Sequence, residues 1–267
     1  MSSKIFTTIF LVVFIATADW YVNTAEAKFI TKDLVSLWTF DKADIEGKTV
    51  KDFWGNNDGE IKGAPQIVKG NIGEALKFDG VKDWVEIPSD PSLDFKDNSV
   101  TLTVWIKPHG GEDNWILYDG NGSRAAYALV HDDRGHADTF GVSFWNTAGV
   151  RVNFFGNGKF KHPSDEWYYV VGLLDDDKVK LYVNGKFEKE TDFEGKIRQN
   201  TQDPIHIARY GFADNYFVDG TIDEIGIYAR ALTDAEIEAN YKAKSPTADI
   251  RAAGKLSACW GAIKKGK

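Results

Sequence analysis

Cysteine is nearly absent. Cys259 stands alone, so no disulfide can form within the chain, and stability must come from an apolar core and any bound ion. Long apolar runs are scarce as well. The one that stands out, Ile5–Ala16 (IFTTIFLVVFIA), follows Lys4 and precedes the small-residue triplet Ala25-Glu26-Ala27. It falls short of the roughly 20 residues that span a bilayer. With a basic start and a small-residue site behind it, it reads as a signal peptide (residues 1–27) cleaved after Ala27. The ATA ending at Ala18 is a second cleavage option, hard against the apolar run, and an uncleaved anchor is the alternative. Positive charge is also in deficit: 32 Lys and Arg face 40 Asp and Glu, for a net −8. That argues against nucleic acid or an anionic membrane surface as partner. These features predict a secreted or extracytoplasmic monomer with no membrane span in the mature chain. Export without disulfides fits a bacterial setting, and Cys259 lies too far from the cleavage site to carry a lipid anchor there.

What is present is β pattern, almost to the end. Short runs rich in Val, Ile, Phe, Trp and Tyr recur between Gly, Asn and Asp turns, among them Leu34–Phe40, Glu74–Phe78, Asp83–Ile87 and Ser99–Pro108. About a dozen strands in so short a span leave no room for crossover helices, so an antiparallel double sheet is expected. Asn184-Gly185, between alternating runs, predicts a tight hairpin because both residues tolerate positive φ. The one helix signal is LTDAEIEANYKA, where Thr233 and Glu236 can form a capping box and Ile237 can dock. From Lys244 the pattern stops at Ser-Pro, so residues 244–267 read as a tail whose Leu256, Trp260 and Ile263 are free to dock on the body.

Three segments, taken in order, resemble the LamG-like jellyroll group of the concanavalin A-like lectin/glucanase superfamily. They are LVSLWTFDKADIEGKTVKDFWGNNDGEI, GNIGEALKFDGVKDWVEIP, and LYVNGK followed by VDGTIDEIGIYARALTDAEI. The resemblance runs over roughly residues 34–242. It implies an all-β fold over residues 28–243: a jellyroll β-sandwich of two curved antiparallel sheets with one short C-terminal helix. It also implies, often, a structural calcium and an extracellular binding role; the fold itself does not decide the function.

Calcium takes six to eight oxygens, and Asp- and Gly-rich turns supply them. The resemblance points to Asp41, the Asp79-Gly80 turn and Asp223, with Asp44 close to the first; the alternative makes Asp41 and Asp79 turn formers bonding local N–H groups. Asp223 and Glu224 lie side by side in what reads as a strand. Neighbours in a regular strand face opposite ways, so these two cannot act together on one sugar, and Glu224 is expected to be solvated or locally paired. No ExDxxE strand, HExxH, nucleophile elbow or paired Cys-His occurs, so the chain reads as non-catalytic. His131 and His136 look metal-like in spacing but lie in a polar loop. Sugars stack on exposed aromatics while Arg, His, Asn and Asp hold their hydroxyls. Trp38, Trp84 and Trp105 are expected in the core; Trp115, Trp145, Tyr210, Arg209 and Asn215, with His131 and Arg134, are the candidate ligand-binding residues. Glycan is the leading ligand, an extracellular protein the second, and a glycoside hydrolase or polysaccharide lyase the third reading.

Overall fold

The computed structural model describes residues 28–243 apart from 111–113, 122–123, 132–137, 159, 161–162, 201 and 213–215. The signal-peptide reading with its cleavage after Ala27, the tail with Cys259, Leu256, Trp260 and Ile263, and Arg134, His136 and Asn215 fall outside the described residues.

In chain order the strands are β1 (Leu34–Trp38), β2 (Ile45–Glu46), β3 (Thr49–Val50), β4 (Gly59–Lys62), β5 (Gln66–Lys69) and β6 (Glu74–Asp79). There follow β7 (Trp84–Ile87), β8 (Ser99–Gly110), β9 (Asn114–Asp119), β10 (Tyr127–His131), β11 (Phe140–Trp145) and β12 (Arg151–Phe155). The last are β13 (Tyr168–Asp175), β14 (Lys178–Val183), β15 (Lys186–Asp192), β16 (Ile205–Ile207) and β17 (Asp219–Tyr228), and then helix α1 (Asp234–Lys242). The first sheet runs β15-β14-β13-β8-β17-β6-β5, with β1 also on β17; the second runs β12-β11-β10-β9-β16-β7-β4-β3-β2. The pairings are antiparallel, as a chain without crossover helices requires.

Alternation builds the core. On β8, Val100, Leu102, Val104 and Ile106 point into the sandwich and are fully buried. The intervening Thr101, Thr103 and Trp105 face the other way. That outer face is not bare: Trp105, Tyr169, Tyr182, Tyr228 and Ile237 form a second apolar cluster beneath α1. The helix begins as expected, with the Thr233 hydroxyl and Glu236 carboxylate capping each other's backbone N–H, and Arg230 clamps the same carboxylate at 2.7 and 2.8 Å. The Asn184-Gly185 hairpin also forms, with φ of +52 and +75; the Asn184 side chain accepts the Tyr169 N–H at 2.9 Å.

Candidate ligand-binding face and metal centre

Along one edge, β17 pairs with two different strands. Asp219–Ile222 lie against β6 and Ile225–Tyr228 against β1, so the partner changes at Asp223 and Glu224. On the opposite edge the register with β8 slips between Asp223 and Gly226. Glu224 has φ +48, a left-handed conformation that non-glycine residues keep only where the surroundings hold it. This bulge breaks the alternation of faces. The expectation of a solvated Glu224 opposite Asp223 is therefore corrected: Asp223 is 0% and Glu224 4% exposed.

The chain after β1 and the loop before β6 close around the acid pair. Asp41 Oδ1 accepts the Glu74 N–H at 2.7 Å, and Asp223 Oδ2 accepts that of Ile72 at 3.0 Å. A Cβ on Gly70 would stand 2.6 Å from Asp223 Oδ2, and one on Gly73 2.2 Å from Asp41 Oδ1. Glycine thus lets one short loop touch both carboxylates. Asp223 Oδ1 and both Glu224 oxygens have no hydrogen-bond partner. Burial, reinforced by the Asp41 charge, pushes the Asp223 carboxyl well above its ordinary pKa. Burial does the same to Glu224, with Asp223, Asp41 and Asp44 adding to it. Among the described residues no group of three or more His, Cys, Asp or Glu side chains is drawn together closely enough to hold a metal ion; for a cation to sit here the carboxylates would have to move closer and backbone carbonyls would have to join them.

Asp79 and Gly80 do not join this cluster. They lie beside Asp219, four residues along β17 from Asp223 and so about 13 Å away. Burial raises the Asp79 pKa, but the N–H groups of Val81, Lys82 and Asp83, all bonded to Oδ1 at 2.9–3.1 Å, outweigh it and leave the pKa low. Asp79 is a turn former.

On the outer face of the second sheet strand pairing lines up a row of Glu60, Glu86, His206 and Tyr118, then Ala128, then Ser143 and Asn153. Beside it Trp115, Tyr118, Trp145 and Phe155 pack with Tyr210 and Tyr216. A register slip between β9 and β10 sends both Ile116 and Leu117 into the core, which leaves Trp115 and Tyr118 on the same outer side. Trp115 stacks on Tyr210 at 4.6 Å, and the Arg151 guanidinium lies 5.2 and 5.1 Å from the Trp115 and Trp145 rings. These tryptophans were expected at the surface. They are 6% and 8% exposed, because both pack on Tyr118 beneath Arg151 and Trp115 is also covered by Tyr210. The segment after β16 turns back at Ala208 (φ +68), bridges Arg209 to Phe217, and lays Gly211 against Tyr118 and His206.

Arg209 and Tyr210 are half-buried on this face, Arg209 lying 4.7 Å from the Trp84 ring. Trp84, expected in the core, sits on the outer side of β7, whose Val85 and Ile87 point inward. Phe212, 66% exposed at the tip of the segment, was missed: a lone Phe among Gly, Ala and Asn carries no period. His206 was missed for a different reason: between Ile205 and Ile207 its alternation is plain, but alternation alone does not mark it as part of a site; burial, then Arg209, lowers its pKa to about 4. His131 is corrected. It points to the core side of β10, fully buried, with its ring 4.7 Å from Phe140 and Nε2 3.2 Å from the Phe160 carbonyl, so no ligand reaches it.

A family model described as the concanavalin A-like lectin/glucanases superfamily matches residues 79–238, more than half of the chain. The chain belongs to that superfamily. The chain is also similar to the adhesion G-protein coupled receptor V1 of Danio rerio, 23% identical over 147 residues, which is 51% of this chain and 2% of the receptor. Among solved structures it resembles the binding domain of Paraclostridial mosquitocidal protein 1: TM-score 0.63, 18% identity, 79% of this chain and 52% of that one. It also resembles domain 4 of AbnA, an extracellular arabinanase of Geobacillus stearothermophilus, in complex with arabinotriose: TM-score 0.61, 19% identity, 77% of this chain and 97% of that one. The superfamily member therefore spans a small fraction of the curated relative and about half of the toxin domain. At these identities the solved structures establish the shared two-sheet fold. No helix among the described residues is long and apolar enough to cross a membrane.

Proposed function

We propose that this chain is a non-catalytic extracellular recognition module. It binds glycan on the outer face of the second sheet and is stabilised by calcium at the β17 switch point. The observation that carries the glycan reading is the pairing of guanidinium with indole on one sheet face: Arg151 on Trp115 and Trp145, and Arg209 on Trp84. Such backing fixes the guanidinium groups at the face, Arg151 also donating from Nε and Nη2 to Ser143 Oγ at 3.2 and 2.9 Å, while Tyr210 and the exposed Phe212 offer ring faces. The AbnA domain was solved with arabinotriose, which makes arabino-oligosaccharides a first ligand to try. Calcium would be held by Asp41, Asp223 and Glu224 together with carbonyls of the Gly70–Gly73 loop. Three buried, unpartnered carboxylate oxygens fit an ion that takes only oxygen. The ion would supply structural charge compensation.

The opposed carboxylates of this face do not favour the enzyme reading. On the outer face Glu60 and Glu86 oppose each other across β4 and β7, but Lys62 bridges them at 2.8 and 3.6 Å, and its bond lowers the Glu60 pKa. A general acid needs the reverse. The protein-binding reading rests on exposed Phe212 beside Tyr210, 6.2 Å apart. A glycan array with the full chain, in calcium and in chelator, tests the proposal. Binding to a defined sugar class that weakens when Arg209 is changed to Ala is the expected result. Silence across neutral and acidic glycans alike would sink it.

A further inference from the structure

A groove of about 360 Å³ opens at one end of the sandwich, lined by Lys96, Thr147, Lys196, Ile197, Arg198 and Gln199. Half of these residues are cations and none is an acid, in a chain of net charge −8. Some lysines find carboxylates, as Lys51, Lys178 and Lys242 do with Asp58, Asp192 and Glu238, and others do not; what marks this groove is the meeting of three cations with no acid in its lining. Lys96 and Lys196 are exposed and pair with none among the described residues. Asp97 and Glu194 adjoin the groove along the chain but do not line it.

The backbone beneath these cations is fixed. Buried Asn98 accepts the Ile197 N–H at 2.8 Å and donates to the Gly195 carbonyl at 2.7 Å. Buried Asn146 donates to the Glu194 carbonyl at 2.9 Å, and Thr147 N–H bonds the Lys196 carbonyl at 2.8 Å. Ile197, 2% exposed, anchors the segment in the core. Gly149, at φ +83, leaves room for Arg198, whose Nη2 would stand 2.8 Å from a Cβ there. The groove also continues the aromatic face. Arg198 N–H bonds the Trp145 carbonyl at 2.8 Å, and Arg151 opposes Trp145 across β11 and β12. Four cations thus run from the outer face of the second sheet around the end of the sandwich.

We propose that this groove binds the sulphate or carboxylate groups of an anionic polysaccharide, so that the glycan recognised is a charged one and extends beyond the aromatic face. The choice of a polysaccharide as carrier rests on the glycan reading above. Guanidinium and ammonium groups on a clamped backbone suit repeated oxyanions, and Thr147 and Gln199 add hydroxyl and amide partners. The net negative charge acts weakly beyond a Debye length of about 8–10 Å, so contact inside the groove decides binding. Each exposed pair contributes little alone, and a repeating polymer multiplies it.

The test is binding of the full chain, in calcium, to immobilised dextran sulphate and polygalacturonate, with neutral dextran and arabinan alongside. Wild type is compared with the double variant Lys96→Ala/Lys196→Ala and with Lys196→Glu, from about 50 to about 300 mM NaCl. The expected result is a polyanion that binds, weakens steeply with salt, and loses about 3–30-fold in the double variant and more with Lys196→Glu. Neutral glycan binding and the thermal midpoint should be unchanged. Dextran sulphate alone or polygalacturonate alone identifies which oxyanion is read, and either supports the groove. Polyanion binding that survives both variants overturns it. Neutral glycans binding where polyanions do not also overturns the groove and leaves the glycan reading intact; no polysaccharide binding at all overturns both.

Discussion

Glu224 holds more information than any other residue in the chain. Its positive φ, its burial and its two unpartnered oxygens coincide, and each runs against what a strand glutamate normally does. Its folded pKa lies above the unfolded one, so the folded state binds the extra proton, and without a cation stability falls as pH rises above the ordinary carboxyl range. Glu224→Gln should therefore raise the unfolding free energy in chelator at about pH 8 by about 1–3 kcal/mol and change little near pH 5. Denaturant melts at the two pH values decide it; equal effects at both would contradict the assignment. His206 has the opposite slope. With its pKa lowered from 6.5 to about 4, its contribution is complete above pH 6.5 and is lost as pH falls toward 4, about 3 kcal/mol in all. His206→Gln should flatten that acid limb in a pH series of melts. Asp41 and Asp223 were legible because the resemblance carried them. The burial of Glu224 was not, because the period-of-two rule has no means of seeing a bulge, and that of Trp115 and Trp145 was not, because the residues that cover them come from other parts of the chain.

β17 is the element on which the acid cluster depends. Its length and its Ile-rich pattern made it readable, as did the even alternation of β8 and the Asn-Gly hairpin. The short strands β2 to β5 were not: pairs such as Ile45–Glu46, or Gln66–Lys69 with one partly buried position, have too few core contacts to leave a pattern. Their pairing is imposed by neighbours. The loop before β6 is the part of the metal site most open to test. Gly73→Ala would place a methyl 2.2 Å from Asp41 Oδ1 at φ +60, costing about 1–2 kcal/mol for the backbone alone and pushing the carboxylate aside. The variant should fold but lose any rise in thermal midpoint on adding calcium. A calcium response equal to wild type would mean that the loop takes no part in holding the ion.

At the scale of the whole molecule, the two-sheet sandwich was expected from strand count and turn chemistry, and the superfamily match agrees with it. The binding face was less legible, since residues from β7, β9, β11, β12 and the segment after β16 meet only once the sheet exists. Because the acid cluster joins β1, β6 and β17, calcium should act on the whole fold. Chelator is expected to lower a single cooperative melting transition, and an early partial loss with the main transition unmoved would argue against that coupling. The place of β17 also bears on biosynthesis. It lies between β8 and β6 in the middle of its sheet, yet it is the last strand of the sandwich in chain order. Leu34 on β1 waits for Tyr228, its register partner 194 positions downstream (228 − 34). While the ribosome is still at work, β1, β6 and β8 each carry an edge that, among the described residues, β17 closes. A nascent chain stalled before residue 219 should remain protease-sensitive throughout, and the finished one should acquire resistance late and all at once.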